Sequence, residues 1–164
     1  MKPQSTWIFA LFLLLTFFSA GGAVVESFVN YPTWLLIGEA EFKAYHQALG
    51  PRIVATMVLP LLASTVFNVL LFWFRPTRVP RWSVWLTLGL VLMVWVSTAT
   101  LELPIQNQLG STGFSREAIE RLIATDLPFR TIPGLVRVGI TFWMLLVVLR
   151  PAISAPAAIA PLSR

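Results

Sequence analysis

The chain has 164 residues, of which 57% are hydrophobic and 12% charged, with a net charge of +5. A soluble domain usually carries about 25% charged residues, so this composition belongs to a chain that spends most of its surface in lipid, and the length is that of one domain. With no cysteine and a single histidine, His46, disulfides, thiolate chemistry, c-type haem attachment and multi-histidine metal clusters are excluded.

In chain order, the first apolar run covers about residues 7–25 and contains no charge. It is long enough to cross roughly 30 Å of hydrocarbon, although Lys2, the run 7–18 and the small residues Ser19-Ala20-Gly21-Gly22-Ala23 also fit a signal peptide. A Tyr31-Pro32 step follows, which favours an extended or turning chain. Residues 39–49 then read as a short amphipathic helix with Phe42, Tyr45, His46 and Leu49 on one face, lying flat on the end of the bundle. The second span is expected over about 53–74, with Pro60 freeing the carbonyl of Thr56 and kinking the helix. After the Arg75–Arg81 turn comes a third span, about 84–103. Residues 115–125 form a second amphipathic helix, with Ser115 as N-cap, an Ile119/Leu122/Ile123 stripe and a Glu117–Arg121 pair. Residues 127–134 turn the chain into a fourth span, about 132–149, which holds Arg137. The Ala/Pro-rich stretch 151–164 lacks periodicity and reads as a disordered tail. The expected fold is all-α: an integral membrane four-helix bundle over 1–150, its outer end capped by the two short amphipathic helices.

Orientation follows from charge. Arg75, Arg78 and Arg81 sit in one tight turn against two spans, and such turns stay cytoplasmic. Both termini then lie inside. All seven acids, Glu26, Glu39, Glu41, Glu102, Glu117, Glu120 and Asp126, lie outside. Trp7, Trp73, Trp82 and Trp85 fall at one inner level, as an interfacial belt should. The reading is a multi-pass protein of the bacterial inner membrane whose basic charge serves topology and not nucleic acid, with lipid as its partner and oligomerisation open.

At the outer boundary each span offers one ionisable side chain: Glu26, Arg52, Glu102 and Arg137. An unpaired charge at that depth must pair, snorkel or line a wet cavity, so Glu102 and Arg137 are expected to be neighbours, with Glu26 and His46 close by. Asn30 shares a face with Glu26, and Gln106 with Glu102. Asn107 and Tyr45 complete the candidate binding set. Two classes of function compete. One is an enzyme or binder of a lipophilic small molecule, with His46 or Glu102 as general base and Arg130 or Arg137 stabilising an anion. A variant puts a metal on Glu26, His46 and Glu102, although no ligand spacing marks a metal or other cofactor. The other class is a non-catalytic scaffold or accessory subunit whose outer charges are salt bridges around no cavity.

The stretch Glu102-Leu-Pro104-Ile-Gln106-Asn107 after the third span, and Phe129-Arg130-Thr-Ile-Pro-Gly-Leu-Val-Arg137 leading into the fourth, resemble the anthrone-oxygenase-like family of small four-helix membrane proteins. The third-span motif fits the family's Pro–polar–Asn pattern. The second matches at an arginine, Arg130 or Arg137, and lacks the family's Trp and Asn. The resemblance covers most of residues 8–149, including Tyr31-Pro-Thr-Trp34. It implies the four-helix fold and, as an expectation, oxidation of an aromatic or quinone-like substrate.

Overall fold

The computed structural model describes residues 3–154. Four long helices, Pro3–Trp34, Glu39–Phe74, Arg81–Thr112 and Arg116–Arg150, follow one another, the last continuing to Ser154. The described residues contain no strand. Of the tail expected from 151 onward, residues 155–164 lie outside the described residues. All four helices are long and apolar enough to cross a membrane. They pack in ring order, first against second, second against third, third against fourth and fourth against first. Their outward faces carry Leu14, Phe18, Leu62, Val66, Leu92, Val96 and Phe142, all exposed, a continuous apolar surface of the kind that lipid covers.

Short turns join the helices. At the Arg-rich turn, Arg75 leaves the second helix in an extended conformation (φ −66°, ψ 150°). Its Nε then closes the turn by donating to the Val79 carbonyl at 3.0 Å. The third helix ends at Gly113, whose φ of +92° is the only positive one among the described residues and would strain any side chain placed there. Ser115 starts the fourth helix by accepting a hydrogen bond from the Ala118 N–H at 3.3 Å, the N-cap role read from the sequence.

At 32 to 36 residues, each helix is about 48–54 Å long at 1.5 Å per residue, well beyond the hydrocarbon thickness. The two amphipathic segments account for part of the excess. Both are helical, and Phe42, Ile119 and Leu122 are fully buried. They do not lie flat, however: Glu39–Ile53 and Arg116–Asp126 run on into the second and fourth spans. On the solvent side the pair formed is Arg116–Glu120, at 3.6 Å with both side chains exposed, and not the expected Glu117–Arg121.

That continuity has a common cause. Each helix widens into one five-residue π-helical turn, at Glu26–Asn30, Val54–Val58, Thr98–Glu102 and Leu127–Thr131. The N–H of the next residue, Tyr31, Leu59, Leu103 or Ile132, reaches back five positions to the carbonyl of Glu26, Val54, Thr98 or Leu127. A proline follows every time: Pro32, Pro60, Pro104 and Pro133. Proline has no N–H, and in an α-helix its ring strikes the carbonyl four residues back. A wide turn ahead of it removes the clash and lets the helix continue. The Tyr31-Pro32 step is therefore helical (Tyr31 φ −57°, ψ −46°), not extended, and residues 127–134 are helix, not a turn. One of the freed carbonyls, that of Phe129, accepts from Ser97 Oγ at 3.1 Å.

Two apolar cores hold the bundle. One, at the end of the Arg-rich turn, is built from Phe9, Phe12, Leu71, Val79, Val84 and Met144. The other, at the opposite end, comprises Tyr31, Trp34, Phe42, Ile105, Leu109, Ile119 and Leu122. Buried polar and charged residues, among them Thr16, Ser64, Glu26, Glu102, Asp126 and Arg137, occupy the layer between the cores. The four π turns run through that layer.

Candidate functional site

A cavity of about 530 Å³ opens beside the distal core. Every π turn contributes to it: Glu26 from the first, Val54, Met57 and Val58 from the second, Thr98 and Glu102 from the third, Arg130 from the fourth. Above them Tyr31, Trp34, His46 and Gln106 form the walls. The exposed rim residues Gln47, Gly50 and Val54 on the second helix face Leu103, Asn107 and Ser111 on the third. The mouth thus opens sideways between two helices, with apolar Val54 and Leu103 nearer the spans and polar Gln47, Asn107 and Ser111 farther out.

The polar end of the cavity centres on Arg130. Its guanidinium forms an ion pair with Glu102, a side chain 3% exposed. Nη1 also lies 3.4 Å from Asp126 Oδ1 and donates to the Tyr31 hydroxyl at 3.2 Å. Asp126 Oδ2 accepts from Thr131 at 2.7 Å, and the Thr131 and Ser27 hydroxyls are 2.9 Å apart. Residues from the first, third and fourth helices thereby converge on one cation. Two residues that line the cavity each hold a buried polar atom without a partner, Glu102 Oε1 and the Trp34 indole N–H. A buried acceptor and a buried donor left unmatched each cost free energy.

His46 lies on the cavity wall, packed between Trp34 and Phe42 at centroid distances of 5.2 and 5.8 Å. Its Nε2 is 2.7 Å from Gln106 Oε1. Because a carbonyl oxygen only accepts, Nε2 carries the proton in this arrangement, and a neutral ring keeps Nδ1 as an acceptor. Glu26 is bound by Asn30, whose Nδ2 donates to Oε2 at 2.6 Å. Glu26 and Asn30 also line a second lateral pocket of about 300 Å³ between the first and second helices.

The structure brings His46, Glu102, Arg130, Glu26, Gln106 and Asn107 to one cavity, with Asn30 behind Glu26. Tyr45 does not join them; it is 40% exposed at the edge of a stripe in which Phe42 is buried and His46 half-buried. Arg137 does not pair with Glu102. It lies about 10 Å farther along the fourth helix, where Nη2 donates to Ser64 Oγ at 2.6 Å. Arg52 is exposed and donates to its own helix at the Ala48 carbonyl, 2.6 Å away. Glu26, His46 and Glu102 share the cavity, but no group of three metal-ligating side chains is close enough to hold an ion among the described residues. The sequence reading missed Asp126, Tyr31 and Trp34 as site residues. The four-residue spacing of Asp126 and Arg130 was the available signal for the first. In comparison with known proteins, no family model matches the chain, and no curated protein or solved structure matches it.

Proposed function

We propose that this membrane protein binds an amphipathic small molecule in the cavity of the four π turns, admitted from the bilayer between the second and third helices. The observation that carries this reading is a space of about 530 Å³ walled by Trp34, His46, Glu102 and Arg130, in which Glu102 and Trp34 each keep a buried polar atom without a partner. Ligand sites of this kind are mostly apolar with a few convergent polar groups. The ligand class is a lipophilic ring system with a hydroxyl or carbonyl at one end, its donor toward Glu102 and its acceptor toward Trp34. The catalytic form of the reading uses Glu102 or His46 Nδ1 to take a proton from such a ligand, with Arg130 stabilising the resulting oxyanion. The resemblance to anthrone-oxygenase-like proteins suggests an aromatic or quinone-like substrate.

A scaffold or accessory role is favoured by a different observation: Arg130 ties three helices through Glu102, Asp126 and Tyr31. Thermal shifts of the purified protein with 1-naphthol and a short-chain ubiquinone separate the two. For the binding site, at least one probe raises Tm saturably in wild type and loses that effect in folded Glu102→Gln and Trp34→Phe variants. For the scaffold, neither probe acts and both variants simply lower Tm.

The proposed orientation places both termini in the cytoplasm and the cavity on the outer side. It is supported by the Arg75–Arg81 turn and by Trp7, Trp73, Trp82 and Trp85, all more than half exposed, at the end away from the cavity. Single cysteines introduced into this cysteine-free chain report it directly. Glu120→Cys should react with an impermeant thiol reagent in intact cells, while Arg78→Cys should react only after permeabilisation. The reverse pattern would invert the topology.

A further inference from the structure

Below the outer cavity, past Met57, Val58 and Thr98, lies a separate chamber of about 80 Å³. Arg137 lines it, 3% exposed. Its guanidinium makes no ion pair among the described residues. It has the one hydrogen bond to Ser64, the Phe12 ring at 5.6 Å and an Nε without a partner. A cation buried among membrane helices with no counter-charge is costly. Two hydroxyls stand beside it. Ser64 Oγ accepts from Arg137 and lies 3.0 Å from Thr16 Oγ. Either hydroxyl can donate in that contact, and when Ser64 donates, the Thr16 proton is left for the chamber whose wall Thr16 forms. The one carboxylate on the chamber wall, Asp126, is held by Thr131 and Arg130.

We infer that this chamber binds a monovalent anionic group, halide or carboxylate, on the Arg137 guanidinium and the Thr16 hydroxyl. The volume admits such a group with a water or two, and the charge of Arg137, acting through a medium of low dielectric, selects its sign. The group arrives either as a free ion or as the carboxylate end of an amphiphile passing through the outer cavity. The site is independent of the ligand proposed for that cavity.

The test is the Tm of the full chain in detergent with sodium bromide, formate or octanoate, against sodium sulfate at matched ionic strength. Wild type should show a saturable rise of roughly 5–10 °C at a hundredfold excess over Kd. Arg137→Gln should abolish it. Should that variant fail to fold, Thr16→Val serves instead and should weaken binding about tenfold through loss of a hydrogen bond to a charged group. Trp34→Phe, which alters the outer cavity and not the chamber, should leave the response intact, which keeps this inference separable from the outer cavity's function. A response to bromide or formate identifies a free-ion site, and a response to octanoate alone identifies an amphiphile's carboxylate; both support the inference. No saturable rise with any of the three, or an unchanged rise in Arg137→Gln or Thr16→Val, overturns it.

Discussion

Arg130 and Arg137 stand seven residues apart on one helix, and their surroundings are opposite. Arg130 sits in a π turn facing two carboxylates and a phenol, beside a cavity that opens at the bundle's side. Arg137 sits two turns deeper, against a serine and an aromatic ring, beside a small chamber. The difference separates what a buried charge does for a fold from what it leaves unfinished. Arg130 offsets the charge of its neighbours and holds three helices together; Arg137 has charge in excess of its partners. In a membrane bundle, where apolar packing between helices gains little over packing against lipid, the first kind of arginine specifies which helices meet. The second kind is available to a ligand.

The largest expected effect comes from breaking the ion-paired cluster. Arg130→Met strands Glu102 and Asp126 in the interior and should cost about 3–5 kcal/mol, seen as a large drop in Tm or loss of the folded protein. Arg137→Met removes a charge that has no carboxylate partner. In sulfate buffer it should be neutral or up to about 2 kcal/mol stabilising. A large destabilisation there would mean that Arg137 is as fully partnered as Arg130.

A smaller effect is expected at the wall between the two regions. Met57 lines both cavities and the lateral pocket, and its Cγ would lie 2.9 Å from a Cβ built on Gly22. Methionine can yield, so Gly22→Ala should cost only about 1 kcal/mol while shifting Met57 and changing the volumes on either side. Unchanged probe binding at both sites would remove Met57 as the partition. The smallest effect belongs to the Arg116–Glu120 pair, more than half exposed on both sides. After solvent screening, Glu120→Ala should change stability by less than about 0.5 kcal/mol.

The four spans were legible because charge-free apolar runs of that length have one stable solution in lipid. The Arg-rich turn and Ser115 cap were equally plain. The third of the bundle around the cavity was read less well, for one physical reason. Tyr31-Pro32, Pro60, Pro104 and the 128–134 stretch look like interruptions when α-helix is the only helix considered, yet a π turn before each proline lets the chain continue. The prolines were visible, but their meaning depends on a hydrogen bond reaching five residues back. The choice of Arg137 over Arg130 as the partner of Glu102 failed for the same reason. Taking the fourth span to begin at 132 put Arg137 near the boundary, whereas the helix starts at Arg116 and carries Arg130 at the level of Glu102. Trp34 was hidden because its role depends on the fold bringing it against His46 and Phe42.

The contrast between the two arginines is tested most directly by paired double-mutant cycles, combining Glu102→Gln with Arg130→Gln and, separately, with Arg137→Gln, and reading stability in one detergent and buffer. The structure predicts a coupling energy of at least about 1.5 kcal/mol between Glu102 and Arg130 and less than about 0.5 kcal/mol between Glu102 and Arg137. Strong coupling of Glu102 to Arg137, with little to Arg130, would contradict the account.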